Sequence, residues 1–139
     1  MSLSIRNQLP GTVTSVTPGE VMATVKVRLD AGQEITAAVT LEAVSELGLT
    51  SGSTVRALVK ATEVSLATAP VTGVSIRNQL PGTVTDVASG GAMARVKLQI
   101  AGGELTSAIT KDAVTELGLS AGSEVVALIK STEVSLSNA

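Results

Sequence analysis

The segment Ser4-Ile-Arg-Asn-Gln-Leu-Pro-Gly-Thr-Val-Thr14 occurs twice in this chain of 139 residues, and its second copy spans Ser75 to Thr85 letter for letter. The likeness extends well beyond this segment, since 40 of 62 aligned positions, about 65%, are identical. The aligned stretches are 4–29 with 75–100 and 31–66 with 101–136. Self-similarity on this scale indicates a tandem duplication of a unit of roughly 65 residues.

The joint between the two repeats is short and is broken by Pro70 and Gly73, a composition typical of a linker. We therefore predict one domain at residues 1–67, a linker at 68–73 and a second domain at 74–139. A unit of this size buries only a marginal core, and the chain contains no Phe, Tyr or Trp. We expect assembly into an oligomer to supplement that core.

Alternating apolar and polar residues predict that each repeat is mostly β-structure. In the first repeat a turn is predicted at Pro10-Gly11, and a hairpin turn at Ala31-Gly32. The predicted strands are 12–16, 21–29, 34–39, 55–60 and 62–66. The second repeat is expected to follow the same order, because its residues match.

One short helix is predicted between the third and fourth strands of each repeat. Leu41, Val44 and Leu47 are spaced for a helical face, with Thr40 as the N-cap and Gly48 as the stop signal. Three strands, a helix and two strands is the order of an OB-type barrel. The predicted fold is therefore all-β with one short helix per unit, arranged as two tandem OB-like five-stranded Greek-key barrels.

The composition excludes several kinds of chemistry. The chain has no Cys and no His, which removes a Cys nucleophile, a Ser-His-Asp triad, a disulfide and the usual zinc sites. The carboxylates are spread over positions that look solvated, as is common for Asp and Glu. We therefore predict a protein that is not an enzyme, has no cofactor, and uses no side chains as direct ligands of a metal cation.

Membranes and nucleic acids are also not expected as partners. No apolar run approaches the roughly 20 residues of a membrane-spanning helix, and the N-terminus has no signal-peptide core. The net charge is −2, and OB-type folds bind single strands through aromatic side chains, which this chain lacks. Together with the absence of Cys, these features favour a cytoplasmic protein.

The doubled motif suggests a site for an anion. In an extended Ser4-Ile-Arg6 segment the Ser and Arg side chains point to the same side, and both donate hydrogen bonds. Thr40, at the start of the helix, and Lys60, at the end of a strand, add a hydroxyl and a cation. A pocket made of donors alone suits a small tetrahedral oxyanion in its fully ionised form, because a protonated anion needs an acceptor.

Each of these residues also has an ordinary structural interpretation, which the sequence leaves open. Arg6 and Arg77 are typical partners in surface salt bridges. Ser4 suits a strand edge, Thr40 suits a simple helix cap, and Lys60 suits a solvated strand end. The anion site therefore depends on whether the fold brings these side chains together.

Two further pairs are assigned structural roles. Asn7 and Asn78 are expected to serve a bend before the Pro-Gly turn, since Asn favours turns. Met22 and Met93 are expected to fill gaps in the core, as the flexible Met side chain commonly does.

Three motifs read together resemble the Mop domain, the molybdate- and tungstate-binding unit of the molbindins and the wider TOBE group. They are Ser-Ile-Arg-Asn-Gln-Leu-Pro-Gly-Thr-Val at 4–13, Ala-Val-Thr at 38–40 and Leu-Val-Lys-Ala-Thr-Glu-Val at 58–64. The resemblance covers residues 3–66 and 74–136. Two such units in one chain are similar to the di-Mop molbindins, which are small cytoplasmic molybdate-storage proteins.

The resemblance implies a set of oxyanion-binding residues and an assembly. Sites of this group lie at interfaces between Mop domains, in proteins that are homotrimers of two-domain chains. A second kind of site lies around the three-fold axis, which we place near Met22 and Met93, where members of the group often carry Asn. The residues implied for the first kind of site are Ser4, Arg6, Thr40, Lys60, Ala61, Ser75, Arg77, Thr110, Lys130 and Ser131.

The leading hypothesis is therefore storage of molybdate, and of tungstate, for molybdenum homeostasis. The alternative within the same group is a molybdate-sensing regulatory module, which would act through a separate partner protein. An enzyme acting on an oxyanion ester and an OB-type nucleic-acid binder are the hypotheses from other classes, and the composition disfavours both.

Overall fold

The computed structural model describes residues 2–139, in which ten strands and two α-helices follow the order of the repeats. The elements of the first repeat are β1 Asn7–Pro18, β2 Met22–Leu29, β3 Glu34–Thr40, α1 Leu41–Leu47, β4 Thr54–Val59 and β5 Ser65–Ala67. Those of the second are β6 Asn78–Ser89, β7 Met93–Ile100, β8 Gly103–Thr110, α2 Lys111–Leu117, β9 Glu124–Ile129 and β10 Ser135–Asn138. The predicted all-β fold with one short helix per unit is confirmed.

The two five-stranded sheets exchange their last strands. The first sheet has the order β10-β4-β1-β2-β3 and the second the order β5-β9-β6-β7-β8, so β5 and β10 each pair with the other repeat. Leu136 of β10 lies opposite Ala57, and Leu66 of β5 lies opposite Ala127. Neither sheet is therefore made from one repeat alone, and the domain bounds at 1–67 and 74–139, with a linker at 68–73, stay a prediction.

The turn predicted at Pro10-Gly11 is wrong, because both residues lie inside β1. Pairing between β1 and β2 starts at Gly11, opposite Leu29, so the missing N–H of Pro10 falls just outside that ladder. A Cβ on Gly11 would come within 2.7 Å of the Arg28 carbonyl oxygen. Glycine is needed there because β2 passes too close for any side chain.

Replacing Gly11 by alanine is therefore expected to lower the free energy of unfolding by about 2 kcal/mol, the usual scale for overpacking. The matched control is Gly103→Ala, since a Cβ on Gly103 meets nothing within 4 Å. Chemical denaturation followed by circular dichroism measures both variants. Equal stability of the two variants would contradict the close approach of β2 to β1.

The helices begin and end where the sequence predicts. The Thr40 hydroxyl accepts a hydrogen bond from the Ala43 N–H at 3.1 Å, and Gly48 ends α1 with a left-handed backbone at φ 63°. Thr110 and Gly118 repeat this geometry in α2. A side-chain cap and a glycine stop are local signals, which explains why the pattern alone located both helices.

The core is aliphatic and continuous between the two sheets. Its fully buried side chains include Val27 and Ile35 of the first sheet and Leu98 and Ile129 of the second. The expectation that Met22 and Met93 fill the core is wrong, because 46% of Met22 and 48% of Met93 are exposed. Both lie at the outer ends of their strands, where Met22 faces Thr40 and Met93 faces Thr110.

The two halves are joined by a pair of buried asparagines. The Asn78 side chain donates to the Thr36 carbonyl at 2.9 Å and accepts from the Thr36 N–H at 2.8 Å. Asn7 makes the same two bonds with Thr106. Since β3 and β8 are the last strands of their sheets, each Asn takes the place of a missing strand partner. The predicted role in a bend is therefore wrong.

A buried serine adds a contact that only one half possesses. The Ser107 hydroxyl donates to the Val64 carbonyl at 2.7 Å, which fastens the short 3-10 turn Ala61–Glu63 to β8. The equivalent residue of the first repeat is Ala37, which is fully buried and has no hydroxyl. The two halves are thus close in backbone but differ at the contacts between them.

Candidate functional site

An open pocket of about 680 Å³ lies where the two repeats meet. One wall comes from β2 and β3 of the first repeat, and the other comes from the start of the second repeat and the turn after β9. The lining residues are Thr24, Lys26, Glu34, Thr36, Ser75, Arg77, Asn78, Lys130, Ser131 and Thr132.

The strand register and the asparagine bridge together position this pocket. Lys26 and Thr36 are opposite one another in the β2–β3 pair, so the lysine projects beside the strand that Asn78 binds. The 3-10 turn Ser131–Glu133 packs against β3 from the other side. Lys130 immediately precedes this turn and has an extended backbone, at φ −66° and ψ 140°. Its side chain lines the pocket.

The guanidinium group of Arg77 is held by its own segment. Its Nε donates to the Ser75 carbonyl at 3.3 Å, and its Nη2 donates to the Val74 carbonyl at 2.9 Å. Neither bond uses Nη1, so the N–H groups of Nη1 are left to donate to a ligand. Arg6 repeats the arrangement with the carbonyls of Ser4 and Leu3, at 3.2 Å and 2.8 Å. A fixed guanidinium loses little further freedom when it binds an anion.

The pocket carries excess positive charge. Lys26, Arg77 and Lys130 contribute three positive charges and Glu34 one negative charge, which gives a net +2 at neutral pH. The expectation of a pocket made of donors alone is therefore wrong, because the Glu34 carboxylate lines it. Glu34 also accepts a hydrogen bond from the Thr14 hydroxyl at 3.4 Å.

Four of the residues implied for oxyanion binding lie together in this pocket, namely Ser75, Arg77, Lys130 and Ser131. Their counterparts Ser4, Arg6, Lys60 and Ala61 adjoin the equivalent junction, where Asn7 binds Thr106 and the turn Ala61–Glu63 packs against β8. The sequence duplication is thus reproduced as two related junctions between the repeats.

Thr40 and Thr110 are not brought into the pocket. Thr40 follows Thr36 by four residues in the same strand, which separates them by about 13 Å at 3.3 Å per residue. Both Thr40 and Thr110 instead cap helices with their hydroxyl groups. Within one chain they serve the structural role that the sequence left open.

Sequence reasoning missed the residues that β2 and β3 contribute to the pocket. Thr24 and Lys26 occupy alternate, outward-facing positions of β2, and Glu34 and Thr36 do the same in β3. Alternation showed which face they occupy, but not that the second repeat packs beside that face. The Asn78–Thr36 bridge and the packing of the Ser131–Glu133 turn against β3 reveal this neighbour.

The equivalent junction differs in how its charges are paired. Lys97, the counterpart of Lys26, lies 4.0 Å from Glu104, and Arg95 lies 3.4 Å from Asp86. These are the two salt bridges found within residues 2–139, and both pairs are largely exposed. In the same range Lys26 forms no such pair.

Residues 2–139 contain neither a metal-binding cluster of the usual residue types nor a membrane-spanning helix. Between Ser2 and Ala139, no group of three or more His, Cys, Asp or Glu side chains could hold a metal ion. Over the same residues, no helix is long and apolar enough to cross a membrane.

Comparison with known proteins places both repeats in one family. The TOBE domain pattern matches residues 3–66 and 74–136. Curated relatives include the molybdenum transport protein ModE of Azotobacter vinelandii, 39% identical over 137 residues, and the molybdenum-pterin-binding protein MopB of Rhodobacter capsulatus, 40% identical over 135 residues. These alignments cover 98% and 96% of this chain but 51% and 50% of the relatives, so the chain spans about half their length.

A solved structure extends the likeness to the whole fold. It is the cytoplasmic molybdate-binding protein ModG, crystallised with molybdate bound, at 42% sequence identity and a TM-score of 0.96. The alignment covers 100% of both chains. At this similarity the arrangement of both repeats, and not just of one barrel, is shared.

Proposed function

The chain belongs to the TOBE domain family, and from this premise we propose that it binds and stores molybdate or tungstate in the cytoplasm. The proposed activity is non-catalytic, needs no cofactor, and serves molybdenum homeostasis. The relatives named for molybdenum transport and molybdate binding support the proposal. The net positive pocket between the repeats is the structural observation that carries it.

The pocket offers the groups that a desolvated dianion needs. Arg77 and Lys130 supply two charge-assisted donors, which offset the cost of removing a dianion from water. The Ser75 and Ser131 hydroxyls fill the remaining lone pairs of a tetrahedral oxyanion. The Glu34 carboxylate also lines the pocket and would repel an anion. We therefore assign the ligand to the side of the pocket formed by Arg77 and Lys130.

The proposed contacts divide into those made within a chain and those made between chains. We assign one site to Ser75, Arg77, Lys130 and Ser131 and a second to Ser4, Arg6, Lys60 and Ala61. Neither Thr40 nor Thr110 lines the pocket within one chain. Their participation therefore requires a neighbouring copy, which agrees with our proposal of a homotrimer.

Exposed apolar side chains support assembly into such an oligomer. Val21 is 72% exposed and Met22 46%, and Met93 at the equivalent place of the second repeat is 48% exposed. Large apolar side chains exposed at the same place in both repeats are candidates for burial between copies of the chain. Sedimentation velocity tests the proposal, with a trimer expected and a monomer at all concentrations contradicting it.

Isothermal titration calorimetry tests the proposed ligand directly. Molybdate and tungstate are expected to bind saturably, whereas sulfate and phosphate at the same concentration are not expected to bind. Protein concentration has to come from refractive index, because the chain has no Trp or Tyr. Absence of molybdate binding, or equal binding of sulfate, would refute the proposal.

A further inference from the structure

The structure points to two unequal oxyanion sites in each chain, and we propose that the Ser131 hydroxyl makes its own site the tighter one. This inference rests on the proposed function and extends it. We call the pocket with Arg77, Lys130 and Lys26 the Ser131 pocket, and the equivalent junction, with the counterparts Arg6, Lys60 and Lys97, the Ala61 junction. The two sites are related by the sequence repeat but differ at the residue after the strand-end lysine.

The Ser131 hydroxyl lacks a hydrogen-bond partner. Its Oγ is buried and forms no hydrogen bond with any atom of residues 2–139, although Ser131 lines the pocket. A buried hydroxyl without a partner is unfavourable, so it gains from any acceptor that comes within reach. Rotation about one side-chain bond moves Oγ between staggered positions, which lets it turn towards a ligand.

An oxyanion in the pocket would be such an acceptor. A hydroxyl donates one hydrogen bond, and bonds to a charged acceptor are about twice as strong as bonds between neutral groups. The equivalent residue, Ala61, has no side-chain group that can donate a hydrogen bond. The backbone on both sides is the same, since Lys60 and Lys130 have φ and ψ within 1° of each other. At this position the side chain is therefore what distinguishes the two sites.

The lysines on the facing strands differ in the same direction. Lys97 at the Ala61 junction is 4.0 Å from the Glu104 carboxylate, whereas Lys26 in the Ser131 pocket forms no salt bridge within residues 2–139. A lysine with a carboxylate neighbour has its charge partly compensated before a ligand arrives. Because the Lys97–Glu104 pair is largely exposed, its effect is smaller than that of the hydroxyl.

Calorimetric titration of the full chain with molybdate, for the wild type and two matched variants, tests the inference. The wild type is expected to show two classes of sites that differ about tenfold in Kd, the scale of one hydrogen bond to a charged group. Ser131→Ala is expected to weaken the tighter class about tenfold and so merge the two. Ala61→Ser adds the hydroxyl at the other place and is expected to strengthen the weaker class.

The outcomes separate this inference from the proposed function. Molybdate binding with a single class of sites, unchanged in both variants, overturns the inequality and leaves the proposed function intact. No molybdate binding by the wild type overturns both. Circular dichroism shows whether Ser131→Ala is folded. If it is not, the effect of Ala61→Ser on the weaker class of sites decides the inference, because that substitution removes no native contact.

Discussion

Replacing Arg6 and Arg77 together by alanine is expected to abolish most molybdate uptake while leaving the fold in place. Each guanidinium group is oriented by two backbone carbonyls of its own segment, so it enters the binding reaction already positioned. A hydrogen bond to a charged group contributes about 1.5–3 kcal/mol, so we expect Kd to rise roughly 10- to 150-fold at each site. Calorimetry with molybdate measures the change.

The control for this variant is Arg56→Ala. Arg56 is exposed on β4 opposite Pro10, and it does not line the pocket between the repeats. Its loss removes one positive charge from the chain but none from the pocket. Unchanged binding in Arg6→Ala plus Arg77→Ala would show that these arginines do not hold the anion. An equal loss in Arg56→Ala would show that they act only through the overall charge.

Replacing Asn7 and Asn78 together by alanine is expected to cause a large loss of stability. Each asparagine is at least 97% buried and makes two hydrogen bonds to the backbone of an edge strand in the other half. Removal leaves an N–H and a C=O without partners on each side, at about 1–3 kcal/mol per buried group. We expect about 2 kcal/mol per asparagine and a fall in Tm of roughly 10–15 °C for the double variant.

Asn138→Ala provides the matched control, because Asn138 is exposed near the end of β10. Thermal unfolding followed by circular dichroism compares the three proteins. A double variant as stable as Asn138→Ala would mean that the asparagine bridges do not hold the two halves together.

The local features of the fold were predictable from the sequence. A helix cap, a glycine stop and an alternating pattern act over a few residues. The predicted bounds of α1, β2 and β3 are therefore close to the observed bounds. The exchange of β5 and β10 was not predictable. Val-Ser-Leu occurs at both 64–66 and 134–136, so local sequence gives neither strand a preference for its own repeat.

The errors at Asn7 and Pro10 share one cause. Asn followed shortly by Pro-Gly is a typical turn signal, but the hydrogen-bond partner of Asn7 is 99 residues away in Thr106. A distant partner leaves no trace in the local pattern. A segment with the sequence of a turn therefore forms part of a strand and bridges the two halves.

The candidate site was predictable in part, because the doubled motif pointed to Ser75, Arg77 and Lys130. The contribution of Lys26 required the packing of one repeat against the other, which a single sequence does not reveal. Ser131 was among the residues that the resemblance implied, and its difference from Ala61 is a further signal, since positions that differ between near-identical repeats mark where the halves depart from symmetry. Ser107, where the other repeat has Ala37, illustrates the same signal.

The central claim is that the junction between the repeats binds the oxyanion, and the anomalous scattering of molybdenum tests it most directly. Crystals grown with molybdate are predicted to show a molybdenum peak beside Arg77 and Lys130, and a second beside Arg6 and Lys60. Peaks confined to other surfaces, such as the exposed strand ends at Met22 and Met93, with both junctions empty, would contradict the account.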